Sequence, residues 1–127
     1  MRVWLYARLS NDDDREMNSL LNQREICQAF AEQHGYIIVG QSFDDNISGM
    51  SFDRRGLDEL TAAVDADMID AVIVKDLSRL GRHRTQTALF IDYLREHQVR
   101  VIFATEGVDT FRDEDDLIIG VRGLMND

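Results

Sequence analysis

The sequence predicts an α/β domain of three layers (αβα) around a mostly parallel central sheet of four or five strands. Two observations carry this expectation. Four short runs rich in β-branched or aromatic residues, Val3 to Ala7, Tyr36 to Val39, Ala71 to Val74 and Val99 to Ala104, alternate with stretches of helical patterning, as in repeated βαβ units. The runs around Ile73 and Ile102 are almost continuously apolar, as expected of strands covered by helices on both faces.

Each gap has its own pattern. The first carries Met17, Leu20, Leu21, Ile26, Cys27, Phe30 and Ala31, a broad apolar arc at helical spacing that ends at Gly35, a C-terminal cap. Gln23 and Arg24 fall inside that arc, and the long stem of Arg24 lets its charge reach solvent. The second helix is expected over about 56–66 and the third over about 85–98, with Phe90, Ile91 and Leu94 inward. Asp113 to Asp116 suit the first turn of a last helix beginning near Asp115, in which Leu117, Ile118, Val121, Leu124 and Met125 keep helical spacing. The expected division is a domain over 1–112 and the start of a C-terminal helix over 113–127, continued in the natural protein.

The 127 residues suffice for one domain with a real core, and 44% apolar against 30% charged residues excludes a disordered tail. No apolar run is long enough to span a bilayer, no secretory signal opens the chain, and the lone Cys27 forms no internal disulfide, so no membrane association and a cytoplasmic location are expected. Fourteen basic against 24 acidic residues give a net charge of −10, opposite in sign to a domain that grips nucleic acid by its overall field. Thirteen of the basic residues are Arg and one is Lys75. That bias suits bidentate contacts to phosphate or carboxylate, although codon bias and surface solubility would also produce it.

Sites of open α/β sheets lie beyond the carboxyl ends of the strands. Loops expected there carry Arg8 and Ser10, then Asp44, Asp45, Ser48, Gly49 and Arg54, then Asp76, Ser78, Arg79, Arg82 and Arg84. Hydroxyls and guanidinium groups thus converge, as phosphoryl transfer requires: a nucleophile attacks phosphorus while cations hold the non-bridging oxygens. His34, His83 and His97 are scattered and Cys27 has no companion, so metal-ligand spacing is missing and no cofactor is expected. Taken singly, Ser10 could be a capping hydroxyl, the arginines could pair with nearby acids, and Gln23 could bond a loop backbone.

Five segments together resemble the successive motifs of the serine recombinase family, the resolvases, invertases and large serine integrases or transposases. They are Tyr6-Ala7-Arg8-Leu9-Ser10, Ser19-Leu20-Leu21-Asn22-Gln23, Asp45-Asn46-Ile47-Ser48-Gly49, Asp53-Arg54-Arg55-Gly56-Leu57 and Lys75-Asp76-Leu77-Ser78-Arg79-Leu80-Gly81-Arg82. The likeness runs in order over about residues 3 to 110. It implies a resolvase-like catalytic domain in which Ser10 attacks a DNA phosphodiester, leaving a 5′-phosphoserine linkage and a free 3′-hydroxyl that later attacks a new partner. Bond energy is conserved, so neither ATP nor metal is implied. Arg8, Arg79 and Arg82 match the arginines around the scissile phosphate, Gln23 the glutamine near the nucleophile, and Asp45, Ser48 and Arg54 supporting positions. The family also implies self-association to dimers and tetramers, and DNA affinity supplied by a region after a long helix, so the fragment alone is expected to be inactive.

Two departures are visible. Small resolvases carry Asp where this chain has Ser78, which moves the likeness toward the large recombinase and transposase branch and leaves Asp76 as a substitute acid. Arg55 stands where Pro is frequent, a change of local stiffness. Asp12 to Asp14 read as a solvated loop, or as a restraint on nonspecific DNA contact. The alternatives are a receiver-type signalling domain phosphorylated on Asp76, against which the fourth run ends Ala104-Thr105-Glu106 and the only Lys, Lys75, lies on the third strand, or a catalytically silent recombinase-like fragment.

Overall fold

The computed structural model describes residues 1–10, 19–46, 54–80 and 84–110. In chain order these form β1 (Arg2–Ser10), α1 (Leu20–Gln33), β2 (Ile37–Asn46), α2 (Arg55–Asp65), β3 (Ala71–Val74), a 3-10 turn (Leu77–Leu80), α3 (Arg84–Glu96), β4 (Arg100–Phe103) and β5 (Val108–Asp109). The sheet order is β2-β1-β3-β4-β5, with the first four strands parallel and β5 antiparallel to β4. After β1 the chain steps one way to β2, and afterwards the other way to β3 and β4. Right-handed crossovers then put α1 on one face of the sheet and α2 and α3 on the other.

Two cores record this layering. Val3, Leu5, Ala71, Ile73 and Ile102 pack with Cys27 and Ala31 of α1, while Tyr6, Val72, Val74, Val101 and Phe103 pack with Leu60, Ala63 and Val64 of α2 and Ile91 and Leu94 of α3. Residues of β1 alternate between the two clusters, and the four residues of β3, Ala71–Val74, are all buried.

Several boundaries differ from the sequence expectation for identifiable reasons. β1 and β2 run on beyond their apolar runs, so Arg8, Ser10, Asp44 and Asp45 belong to strands rather than to loops. Their polar residues find partners inside the fold: Ser42 Oγ donates to the Gly56 carbonyl at 2.7 Å and accepts from Trp4 Nε1 at 2.9 Å. In α1, whose Ser19 Oγ caps the Asn22 N–H at 3.0 Å, the buried line is Gln23, Cys27 and Ala31, and Leu21 is 61% exposed. The apolar arc is wider than the strip of sheet it covers. Gly35 follows the helix with φ +70°, as a left-handed C-terminal cap demands. β5 had no sequence signal of its own. It forms because Gly107 (φ +67°) turns the chain and Arg100 NH1 donates to Asp109 Oδ2 at 2.9 Å. Met17 and the helix expected near Asp115 lie outside the described residues.

The amino ends of the strands are tied by Arg2, whose backbone N–H and guanidinium grip the Asp70 carboxylate at 2.8 to 3.2 Å. Those hydrogen bonds hold Asp70 below the usual carboxylate range. At the other end, α2 docks so closely that a Cβ on Gly56 would sit 2.4 Å from the Phe43 carbonyl oxygen. Backbone on both sides leaves no flexible atom to yield. Gly56→Ala is therefore expected to lower the unfolding free energy by about 1–3 kcal/mol, the usual cost of overpacking. Urea unfolding with a shifted midpoint and an unchanged m-value checks this.

Candidate active site

The strand order reverses between β1 and β3, and ligand crevices of open α/β sheets lie at such switch points. β1 pairs with β3 through Leu5 and with β2 as far as Ser10, so its last residues extend past the end of β3. Side chains fill the position of the missing strand. Arg8 N–H donates to Gln23 Oε1 at 3.1 Å and Gln23 Nε2 donates to the Arg8 carbonyl at 2.8 Å, a pair of bonds with the geometry of a neighbouring strand. Arg79 NH1 donates to the same carbonyl at 2.5 Å. Gln23 is fully buried, and Arg8 and Arg79 are 7% and 3% exposed.

The 3-10 turn after β3 presents the second arginine. Asp76 opens it, accepting the Ser78 N–H on Oδ1 at 3.0 Å and the Arg79 N–H on its carbonyl at 3.2 Å. Arg79 donates from Nε to Asp76 Oδ1 at 3.3 Å and from NH2 to Ser78 Oγ at 2.6 Å, and Arg8 NH2 donates to the Ser78 carbonyl at 2.6 Å. Lys75 Nζ reaches Asn22 Oδ1 at 3.3 Å, fastening the first turn of α1 to the end of β3. Two buried guanidinium groups thus meet on one serine at the carboxyl edge, Arg8 on its carbonyl and Arg79 on its hydroxyl, while Arg79 and Gln23 share the Arg8 carbonyl. The Asp76 that a receiver domain would phosphorylate is engaged by that serine and arginine.

Strand β2 supplies a buried acid, Asp44, which the sequence places among the converging residues without a role of its own. Asp44, 1% exposed, accepts from Tyr6 Oη at 2.7 Å and from the N–H groups of Gly56 at 2.7 Å and Leu57 at 3.0 Å. It caps α2 from a neighbouring strand, a role that Arg54 at the N-cap position does not fill with its own side chain. The signal was the inward parity of Ser42 and Asp44, legible only once β2 is extended. Burial, and then the bond to Asp44, drive the Tyr6 phenol well above its usual value.

Of the residues expected at the site, Arg8, Gln23 and Arg79 come together. Ser10 is the last residue of β1, paired with Asn46, two positions beyond Arg8. Asp45, paired with Leu9, and Arg54, which opens α2, are exposed on the neighbouring edge. Ser48 and Arg82 lie outside the described residues. Burial pushes the Cys27 thiol up to about 12, so it is a packing residue and not a nucleophile at neutral pH.

A family model described as "Resolvase, N terminal domain" matches residues 3–127. The chain belongs to the resolvase family. The transposon Tn3 resolvase of Escherichia coli is 30% identical over 125 residues, 98% of this chain and 62% of that protein, and the R46 site-specific recombinase of Escherichia coli is 29% identical over 128 residues, 98% and 60%. This resolvase domain therefore spans about three fifths of the length of those relatives. Among solved structures, a resolvase family site-specific recombinase from Streptococcus pneumoniae superposes with a TM-score of 0.81 at 28% identity, covering 99% of this chain and 85% of that one. The N-terminal catalytic domain of TP901-1 integrase shares the fold, with a TM-score of 0.81 at 23% identity over 99% and 94% of the two chains.

Two tests follow from the resolvase domain's buried polar groups. Gln23→Leu would strand the Arg8 N–H and is expected to cost about 2 kcal/mol or more, within the penalty for unsatisfied buried groups, in a denaturant titration. Tyr6 titrates near pH 10 when unfolded. With its folded value raised, it stabilises the fold fully below about pH 10 and loses that contribution as pH rises further. Tyr6→Phe is expected to lower stability at neutral pH by about 1–2 kcal/mol while flattening the decline above about pH 10, measured by thermal melts across pH.

Proposed function

We propose that this domain is the DNA-cleaving head of a site-specific recombinase. The observation that carries this reading is the pair of buried guanidinium groups at the sheet's carboxyl edge: Arg8, two residues before Ser10 on β1, and Arg79, bonded to the Arg8 carbonyl. Ser10 is the nucleophile: its Oγ forms a bond to a DNA phosphorus as the bond to the 3′-oxygen breaks, and the hydroxyl proton ends on that leaving oxygen. Serine is a weak nucleophile at neutral pH, and a positive field favours loss of its proton. Arg8, Arg79 and Arg82 supply that field and hold the non-bridging oxygens as charge builds. Gln23, bonded to the Arg8 backbone on both its amide atoms, positions Arg8. Asp45 and Arg54, on the adjoining edge, support the phosphate, as does Ser48. The reversed step, attack of the 3′-hydroxyl on the phosphoserine, rejoins strands without ATP or metal.

With a net charge of −10, the chain has little affinity for DNA of its own, because affinity comes from neutralising phosphates. The reading therefore places DNA recognition and the assembly of dimers and tetramers outside the catalytic unit of 1–112. The isolated piece is inactive and works in the cytoplasm only as part of the full-length protein. Among the described residues no helix is long and apolar enough to cross a membrane.

The decisive experiment mixes full-length protein with total host DNA, denatures it, digests with nuclease and maps the modified peptide. A 5′-phosphonucleotide on Ser10, formed equally in EDTA and lost in Ser10→Ala with DNA binding retained, is the expected result. An adduct formed by Ser10→Ala, or a strict divalent-metal requirement, overturns the reading. Arg79→Ala is expected to slow adduct formation by about 10²-fold or more, as loss of a transition-state donor does.

A further inference from the structure

We infer that Ser78 and Asp76 form one positioning unit, a hydroxyl oriented by a carboxylate, that sets the guanidinium of Arg79 for the phosphate. The inference rests on the recombinase reading and assigns a task to two residues that do not themselves react. Ser78 bonds both arginines: its Oγ accepts from Arg79 NH2 at 2.6 Å and Nε at 3.2 Å, and its carbonyl accepts from Arg8 NH2 at 2.6 Å.

The direction of these bonds depends on Asp76. Its Oδ1 accepts the Ser78 hydroxyl proton at 2.5 Å and the Ser78 N–H at 3.0 Å, so the Ser78 oxygen turns its lone pairs toward Arg79. The same carboxylate oxygen accepts from Arg79 Nε at 3.3 Å. Charge therefore runs in one sense, from carboxylate to hydroxyl to guanidinium, and each charge-assisted bond strengthens the next. Asp76 is about a quarter exposed and Ser78 is exposed, whereas Arg79 is buried. The pair thus reaches Arg79 from the solvent side, where a DNA phosphate would approach, and not from the core. Without the carboxylate, the guanidinium loses the Asp76 acceptor and the Ser78 hydroxyl, free to rotate, no longer holds its lone pairs toward Arg79.

The test uses full-length protein and the DNA fragment recovered with the trapped adduct. Ser78→Ala and Asp76→Ala are each expected to slow adduct formation by about tenfold or more with DNA affinity unchanged, as for loss of transition-state rather than uniform binding. The double variant is expected to be no slower than the worse single, because parts of one unit are not additive. Ser78→Thr, which keeps the hydroxyl, is expected to recover most of the rate. In the 127-residue chain, the Arg79 Nε–H NMR signal is expected to broaden in Ser78→Ala and Asp76→Ala. A wild-type rate in Ser78→Ala, losses that multiply in the double variant, or an unchanged Arg79 signal overturns the inference. Of these, an unaltered Ser78→Ala rate beside a Ser10-dependent wild-type adduct overturns it while sparing the recombinase reading.

Discussion

The backbone of β1 outruns its neighbour β3, and the polar groups so uncovered are satisfied by a buried glutamine amide. Everything at the candidate site hangs from that substitution of side chain for strand. Gln23 sits in the apolar line of α1, so its amide is held by the packing of Cys27 and Ala31 against the sheet. Arg8 is fixed at its main chain, Arg79 bonds the Arg8 carbonyl, and the guanidinium of Arg8 returns to the turn that carries Arg79. These shared acceptors hold two like charges at one address despite their mutual repulsion, although Arg8 Nε itself has no hydrogen-bond partner among the described residues.

A second polar cluster works on the other flank of β1. Asp44 accepts from Tyr6 and from the first N–H groups of α2, so one carboxylate locks the helix that begins at Arg55 to the strand that ends at Ser10. Its partners are neutral donors at a helix N-terminus, where negative charge is favourable. The chain's overall acidity is thus compatible with a cationic edge, because some of its acids are consumed in internal caps and ties such as Asp44 and Asp70 and do not face a phosphate.

Layering, helix positions and the strand cores were legible in the apolar runs, since burial alone dictates them. Strand ends were not, because the polar residues that extend β1 and β2 are held by groups distant in sequence: Ser42 by Gly56, Arg8 by Gln23. Gln23 was noticed as a polar residue in an apolar arc, but its target could not be read from one helix. Asp44 was visible beside the other converging residues, but its capping role exists only where α2 approaches β2 closely enough to exclude a Cβ at Gly56. β5, two residues long, has no periodicity to detect. The motif residues Arg8 and Arg79 were assigned as site residues from the resemblance, and the fold places them in contact.

The central position of the first strand also bears on how the chain is made. β1 leaves the ribosome before any of its neighbours and needs two of them. Its parallel partner β2 follows only after α1, and β3 only after β2 and α2. Long loops must close before those pairings form, which slows folding in sheets of this kind. Through that interval the apolar Val3 to Tyr6 segment has no sheet to enter, and a nascent chain stalled before Ala71 presents it as an open, aggregation-prone edge.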